Sequence, residues 1–240
     1  MRNHAIAALL AAVTLPAVAF ADDTTTQEGW TGKGELGLAL SKGNTESTTL
    51  VGKLAAANET GNWKNAFGAN FLYSKSDDVE SARRYEIFST TGYRLGERSY
   101  VFGALRNERD HFTTYEYQWT AAVGYGYEAI KNDATHLTFE IGPGYRWSKV
   151  QGEQVHSNEA IARGFMDFGH QLTATTSFYD TLLVEAGSDN TFAKNDLGLQ
   201  VAMTDALALK AGVEVRHNTD VLPGTKKTDT LTTVNVVYGF

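Results

Sequence analysis

The chain has 240 residues and a formal net charge of −7, from 21 Lys and Arg against 28 Asp and Glu. Such an acidic balance argues against nucleic acid as a partner, because nucleic-acid phosphates attract basic surfaces. There is no cysteine, which excludes disulfides and thiolate metal sites. Aromatic residues are abundant and proline occurs only three times, a composition typical of long β-strands with few interruptions.

The first 21 residues have the pattern of a secretory signal peptide. A weakly basic head at residues 1–4 precedes an apolar run that ends in a small-x-small cleavage site at residues 19–21. We therefore predict that residues 1–21 are removed and that the mature chain starts at Asp22. No later run of about 18 uncharged apolar residues exists, which excludes an α-helical membrane protein. Residues 22–29 are polar and are predicted to be a flexible periplasmic lead-in.

From residue 30 onward, apolar and polar residues alternate with a period of two, which predicts β-strands. The alternation persists for about a dozen residues in the clearest strands, whereas strands of soluble sheets usually have about five or six. Residues 30–240 divide into roughly twelve strands, with turn signals such as Gly43-Asn44 between them. The facing of the fifth, eighth and ninth strands stays open. Polar segments are predicted to be loops, namely residues 74–82, 107–111, 151–158, 188–194 and 218–227.

Aromatic residues lie toward both ends of the apolar face of the sixth and seventh strands, with smaller apolar residues between them. This order is expected where a strand crosses a bilayer. The alternative is a soluble sandwich or lipocalin-like barrel with the apolar face inward, but such a core would prefer Val, Ile and Leu to Tyr and Trp. The predicted lipid-facing girdle consists of Tyr115, Tyr117, Trp119, Tyr125, Tyr127, Phe139, Tyr145 and Trp147.

These patterns predict an all-β fold, a transmembrane antiparallel up-and-down β-barrel in the bacterial outer membrane. Single-chain barrels of this class have an even number of strands, with the longer loops outside the cell. The last strand should seal against the first, because an open edge in lipid leaves backbone groups unpaired. Its Tyr238 and Phe240 resemble the terminal signal read by the outer-membrane barrel assembly machinery. Outer-membrane lipid and lipopolysaccharide are the other expected partners.

Charges of both signs alternate with the apolar residues and are predicted to face the lumen. They would either line a narrow pore for small solutes or pair across strands and plug it, and a narrow barrel favours the plug. The predicted lumen charges are Lys33, Glu35, Arg84, Glu86, Glu116, Glu128, Glu140, Arg146, Lys210, Glu214 and Arg216.

No pattern predicts a catalytic, cofactor or metal site, so the expected function is non-enzymatic. The alternative is a lipid-modifying barrel enzyme that uses His156 or His111. His156-Ser157-Asn158 is similar to the His-x-Ser-Asn pattern of outer-membrane phospholipases, but the spacer residue is missing, so the two side chains would point to opposite faces of an extended segment. A cation site formed by residues 108–111 with residues 77–78 is a weaker hypothesis than an ordinary charged loop.

Several motifs are spread over the whole mature chain: Trp30-Thr31-Gly32, Ser41-Lys42-Gly43-Asn44-Thr45, Glu108-Arg109-Asp110, Gly142-Pro143-Gly144-Tyr145-Arg146 and Tyr238-Gly239-Phe240. Together they resemble the YdiY-like family, a domain-of-unknown-function family of salt-induced outer-membrane proteins. The resemblance implies an outer-membrane location and a tie to salt or osmotic stress. It implies no catalytic or binding residues.

Overall fold

The structure, a computed structural model, describes residues 29–41, 47–152 and 155–239. In that part of the chain, twelve antiparallel strands form one closed ring in which each strand pairs with its neighbours in sequence and the last pairs with the first. The strands are β1 (Gly29–Ser41), β2 (Ser47–Thr60), β3 (Trp63–Ser76), β4 (Val79–Arg94), β5 (Ser99–Asp110), β6 (Tyr115–Lys131), β7 (Thr135–Val150), β8 (His156–Gln171), β9 (Thr176–Gly187), β10 (Thr191–Ala202), β11 (Leu207–Asn218) and β12 (Thr228–Gly239).

This ring confirms the prediction of an all-β, up-and-down antiparallel barrel of about twelve strands. The closing pair sets Lys33 opposite Gly239 and Gly37 opposite Asn235. Closure matters because a ring has no free edge, so each strand finds backbone partners on both sides. We call the end of the barrel that carries Gly29 and Gly239 the near end, and the opposite end the far end.

Some sequence predictions concern residues at the margins of the described chain. The signal peptide, the Gly43-Asn44 turn and Phe240 lie outside the described residues. Gly29, predicted to end the lead-in, already belongs to β1. Over the described ranges, no helix has the length and apolar character needed to cross a membrane.

The outer wall of the barrel is apolar. Ile141 on β7 is 69% exposed, and Trp119 and Val123 on the neighbouring β6 are also exposed. Glu140 and Arg146, also on β7, are buried inside the barrel. A soluble barrel requires the opposite facing, with the apolar residues packed within and the charges in water. The exposed apolar residues along the middle of the outer wall include Leu36, Leu54, Ile87, Leu105, Val123, Ile141, Leu199 and Val234.

Several segments predicted to be loops are largely strand. β5 runs on to Asp110, β8 already begins at His156 and β10 at Thr191, and β3 and β4 are joined by Asp77 and Asp78 alone. Both of these turn residues have positive φ, 49° and 62°, as a tight two-residue hairpin turn requires. These loop predictions were wrong because charged and polar stretches were interpreted as loops. In the structure, many of these residues lie on strands, with their side chains on the inner face of the barrel. The longest connection between described strands, residues 219–227, lies at the far end.

Glycines on β6 make room for aromatic rings that point inward from β5. Tyr100 and Phe102 of β5 are both buried. They lie opposite Gly126 and Gly124 of β6, and a Cβ added at Gly126 would overlap the ring of Tyr100. Tyr100 cannot simply swing aside, because its hydroxyl donates a hydrogen bond of 2.8 Å to Glu140.

We therefore expect Gly126→Ala to lower the free energy of unfolding by about 1–3 kcal/mol, the usual cost of overpacking. Urea unfolding of the lipid-reconstituted barrel measures this change. Gly103→Ala is the matched control, because a Cβ at Gly103 meets nothing within 4 Å. Equal stability of the two variants would contradict the tight fit between Gly126 and Tyr100.

Candidate functional site: the charged interior

The far half of the lumen holds a group of charged side chains from five strands, here called the central cluster because its ion pairs cross the lumen. Alternation along each strand turns these side chains inward, and most of them are buried. The central cluster consists of Glu86 on β4, Arg106 and Glu108 on β5, Glu185 on β9, Lys194 on β10 and Arg216 on β11.

Ion pairs in the central cluster join opposite walls of the ring. Arg216 Nη2 lies 2.5 Å from Glu108 Oε2, and Lys194 Nζ lies 2.6 Å from Glu86 Oε1. Each of these pairs joins strands six apart in a ring of twelve, so the partners come from diametrically opposite strands. Side chains that meet in this way span the full width of the lumen.

A third pair of the central cluster, Arg106 with Glu185, is bidentate. Arg106 donates from Nε to Glu185 Oε1 at 3.2 Å and from Nη2 to Oε2 at 2.5 Å. Phe192, only 1% exposed, packs beside this pair. The guanidinium carbons of Arg106 and Arg216 lie 4.7 and 4.9 Å from its ring centroid, within the range of cation–π attraction. An apolar ring thus fills space between two cations that are neutralised by carboxylates.

A second set of charges lies toward the near end on β2, β3, β4 and β6. Lys64 donates to Glu128, which also accepts from Arg94 at 3.2 Å. Arg94 in addition donates to Glu59 at 2.7 Å. Glu128 therefore serves two cations inside the barrel, and Lys131 at the rim provides a third at 3.0 Å.

Two further groups connect these sets around the wall. Glu140 accepts from Arg163 at 2.8 Å as well as from Tyr100. On the other side, Lys53 contacts Asp196 at 2.7 Å, and Lys210 contacts Glu35 at 3.2 Å. The interior is therefore paired at several heights.

The far end of the barrel is covered by the connection 219–227. Asp220 accepts a hydrogen bond of 3.1 Å from the Tyr115 hydroxyl, and the Leu222 N–H donates to Thr114 Oγ1 at 2.9 Å. Asn190, which is buried, accepts from the Asp220 N–H at 3.1 Å and receives Arg146 on its backbone oxygen. Below this cover lies a polar cavity of about 60 Å³, room for a few water molecules.

Most of the predicted lumen charges lie where the alternation put them. Lys33 is exposed at the near end, close to Gly239. Arg84 lies 3.3 Å from Glu214, and Arg146 lies 2.7 Å from Glu159. The predicted residues whose side chains point inward and form ion pairs are Glu35, Arg84, Glu86, Glu128, Glu140, Arg146, Lys210, Glu214 and Arg216.

The predictions for Glu116 and Tyr115 were wrong, and one irregularity explains both. In the pairing of β6 with β7, Tyr115 lies opposite Val150 and Tyr117 opposite Lys149, so Glu116 is an extra, unpaired residue. Such a bulge shifts the alternation by one residue. Tyr115 is consequently buried inside instead of facing lipid, and Glu116 pairs on the outside with Lys149 at 2.5 Å. The other girdle residues, Tyr117, Trp119, Tyr125, Tyr127, Phe139, Tyr145 and Trp147, keep the outward register.

Sequence reasoning missed about half of the interior pairs. Arg106 and Glu108 fell in or beside a segment interpreted as a loop, and Lys194 in another. The signal available was the period of two, since Arg106, Glu108 and Asp110 continue the inward positions of β5. The missed inward charges are Arg106, Glu108, Asp110, Glu159, Arg163, Lys194 and Asp196.

The residues of the enzyme and cation hypotheses do not converge. His156 lies in β8 opposite Lys149 on the outer wall, whereas Ser157 lies opposite Ser148, which is buried inside. Glu108 is engaged by Arg106 and Arg216 within the lumen, so it cannot join a loop site with Asp77 and Asp78. Over the described ranges, no cluster of three or more His, Asp or Glu side chains is arranged to hold a metal ion.

Comparison with known proteins gives a family and a fold. The family model described as "Protein of unknown function, DUF481" matches residues 34–240, which confirms the predicted YdiY-like resemblance. The uncharacterized protein YdiY of Escherichia coli (strain K12) is 23% identical over 223 residues, covering 90% of this chain and 86% of that protein.

Solved structures of low sequence identity also align with the chain. An outer membrane channel from Pseudomonas putida F1 aligns with a TM-score of 0.53 at 10% identity, covering 92% of this chain and all of that one. The translocator domain of the autotransporter NalP from Neisseria meningitidis aligns with a TM-score of 0.48 at 14% identity, covering 88% and 87% of the two chains.

The Arg106–Glu185 pair offers a test of how strongly the interior holds the barrel together. We expect Glu185→Gln to lower the free energy of unfolding by about 2–4 kcal/mol, because it removes the charge that neutralises a buried guanidinium. The matched control is Glu80→Gln, which breaks the half-buried Glu80–Arg83 pair near the tip of a hairpin and should cost less than about 1 kcal/mol. Urea unfolding of both variants gives the comparison. Similar losses in the two would mean that the interior pairs are not energetically special.

Proposed function

The chain belongs to the DUF481 family. We propose that it is a non-enzymatic barrel of the bacterial outer membrane whose lumen is closed at rest. The observation that carries the proposal is the pairing of Arg216 with Glu108 and of Lys194 with Glu86 across the full width of the ring. A solute that passes through the lumen would have to break these pairs.

The outer membrane is the location that fits the apolar outer wall. A wall that exposes Leu36, Ile87 and Ile141 needs hydrocarbon around it, and closed barrels of even strand number span that membrane. In such barrels the longer loops face outside the cell, which assigns the far end to the exterior. Lipid, lipopolysaccharide and the barrel assembly machinery are the partners that follow from this location.

Closure of the lumen is favoured over a porin-like pore by the balance and burial of the interior charges. In a selective pore, rings of charged side chains stay in contact with water, so that they can replace the hydration shell of a passing ion. Here Glu185 is 1% exposed and Arg146 is 0% exposed, and both are occupied by partners. The connection 219–227 adds a second obstruction at the far end.

A non-enzymatic role is supported by the placement of the candidate nucleophile and base. Ser157 Oγ donates to Asp189 at 2.9 Å, while His156 lies next to it on the opposite face of β8. A serine hydrolase needs the histidine within hydrogen-bond reach of the serine. A phospholipase assay on the refolded protein, with His156→Ala as comparison, tests this part: activity lost in the variant would restore the enzyme alternative.

A role in salt or osmotic stress is also part of the proposal, and the family resemblance supports it. A deletion strain should grow normally at low osmolarity and more slowly at high salt, with growth restored by a plasmid copy. Growth unaffected by salt in the deletion strain would remove the stress role and leave the closed barrel as it is.

We predict that the wild-type barrel shows little or no single-channel conductance in planar bilayers. The quadruple variant Arg106→Ser, Phe192→Ala, Lys194→Ser, Arg216→Ser should open the lumen, because it removes every cation of the central cluster together with the ring between two of them. Glu86, Glu108 and Glu185 then remain, so the opened pore should prefer cations. Reversal potentials under a salt gradient measure that preference.

The control for this experiment is Arg98→Ser, which removes an exposed arginine whose described contact is with the Ala129 carbonyl. Folding of every variant is checked by its heat-modifiable mobility in electrophoresis. Large, stable conductance steps in the wild-type protein would overturn the closed lumen. A folded quadruple variant that shows no conductance would mean that the central cluster is not the barrier.

A further inference from the structure

A groove of about 530 Å³ on the outer wall near the far end is lined by Arg109, Tyr117, Trp119 and Trp147. It is formed by a row of outward side chains on four neighbouring strands, since Arg109 lies opposite Tyr117, Tyr117 opposite Lys149 and Lys149 opposite His156. We call these residues together with Glu116 the far-end groove. None of them contributes to the charged interior.

The charges of the far-end groove are unusual for an outer wall. Arg109 is exposed, and among the residues that the structure describes it forms no ion pair. Lys149 pairs with Glu116 at 2.5 Å, so the groove presents two cations against one carboxylate. A cation on a lipid-facing wall is costly unless it lies at head-group depth, where it meets water and anionic groups.

The depth of the groove is set by the next row toward the middle of the barrel. Trp119 and Trp147 are directly opposite each other on β6 and β7, and Tyr145 packs 4.9 Å from Trp147, ring centroid to ring centroid. Tryptophan and tyrosine in this arrangement are typical of the boundary between hydrocarbon and head groups. Arg109 and Lys149 therefore lie one row above this boundary, on the side away from the hydrocarbon.

From this geometry we propose that the far-end groove binds the phosphorylated head group of a glycolipid in the outer leaflet. Arg109 and Lys149 donate to phosphate oxygens, for which charge-assisted hydrogen bonds are strong. Trp119 and Trp147 pack against the sugar and the first methylenes of the acyl chains. The inference rests on the proposed outer-membrane location, because that location puts the far end in the outer leaflet.

Substitution of Glu116 should affect lipid binding in the direction opposite to substitution of Arg109 or Lys149. Its carboxylate neutralises Lys149 in the free protein and repels a phosphate that approaches Arg109. Removal of this charge should therefore strengthen binding, whereas removal of either cation should weaken it. A groove that merely attracts lipid through its apolar surface would respond to neither change.

The test is a titration of the detergent-solubilised full-length barrel with bisphosphorylated lipid A, read out as bound lipid by native mass spectrometry. We expect about tenfold weaker binding for lipid A lacking both phosphates, and about tenfold weaker binding of the phosphorylated form by Arg109→Ala combined with Lys149→Ala. Glu116→Gln should bind several times more tightly. The control Lys227→Ala removes an exposed lysine at the far end but on the opposite side of the ring, and should leave binding unchanged.

Three results would overturn the proposal: equal binding of the two lipids, no effect of the double substitution in a folded barrel, or weaker binding by Glu116→Gln. Displacement of the lipid by an equimolar amount of inorganic phosphate would exclude a membrane-anchored ligand in favour of a free anion. These outcomes are independent of conductance. A barrel that conducts can still bind the lipid, and a silent barrel can fail to bind it.

Discussion

A charge buried on the inner face of a narrow barrel has no access to bulk water, so it needs a partner from elsewhere on the ring. The central cluster meets this need with pairs that cross the whole lumen, Arg216 to Glu108 and Lys194 to Glu86. An unpaired charge there would bear the full cost of desolvation. The same requirement explains why aromatic rings such as Phe192 fill the space between guanidinium groups, where water would otherwise be needed.

Buried ion pairs of this kind contribute less to net stability than their short distances suggest, because desolvation offsets much of their attraction. Their larger effect here is on register. A slip of β7 by one residue would turn Ile141 into the lumen and Glu140 and Arg146 toward lipid. Both changes are unfavourable, because an apolar side chain would replace a paired charge inside and charged side chains would enter hydrocarbon outside. The apolar outside and the paired inside therefore select the same register independently, and the hydrogen-bonded ring holds it.

How far the sequence alone predicts this structure depends on whether a segment keeps the regular alternation. Trp119, Val123 and Ile141 on the outside and Glu86, Glu140 and Arg146 on the inside follow from the period of two, as does the number of strands. Arg106, Glu108 and Phe192 were missed because a charged or polar stretch looks the same in a loop and on the inner face of a strand. Which cation meets which carboxylate across the ring depends on strand tilt and register, and no local pattern encodes that.

The bulge at Glu116 shows how a single residue affects both faces of the wall. If β6 ran regularly at this point, Tyr115 would face lipid and Glu116 would enter the lumen beside Gln118. The extra residue instead turns Tyr115 inward, where its hydroxyl holds Asp220 in the cover of the far end, and turns Glu116 outward, where it holds Lys149. The closure of the far end and the charge of the far-end groove therefore share one structural cause. Deletion of Glu116 would restore a regular pairing with Tyr115 still opposite Val150, so it would remove the carboxylate of the groove and leave Tyr115 turned inward.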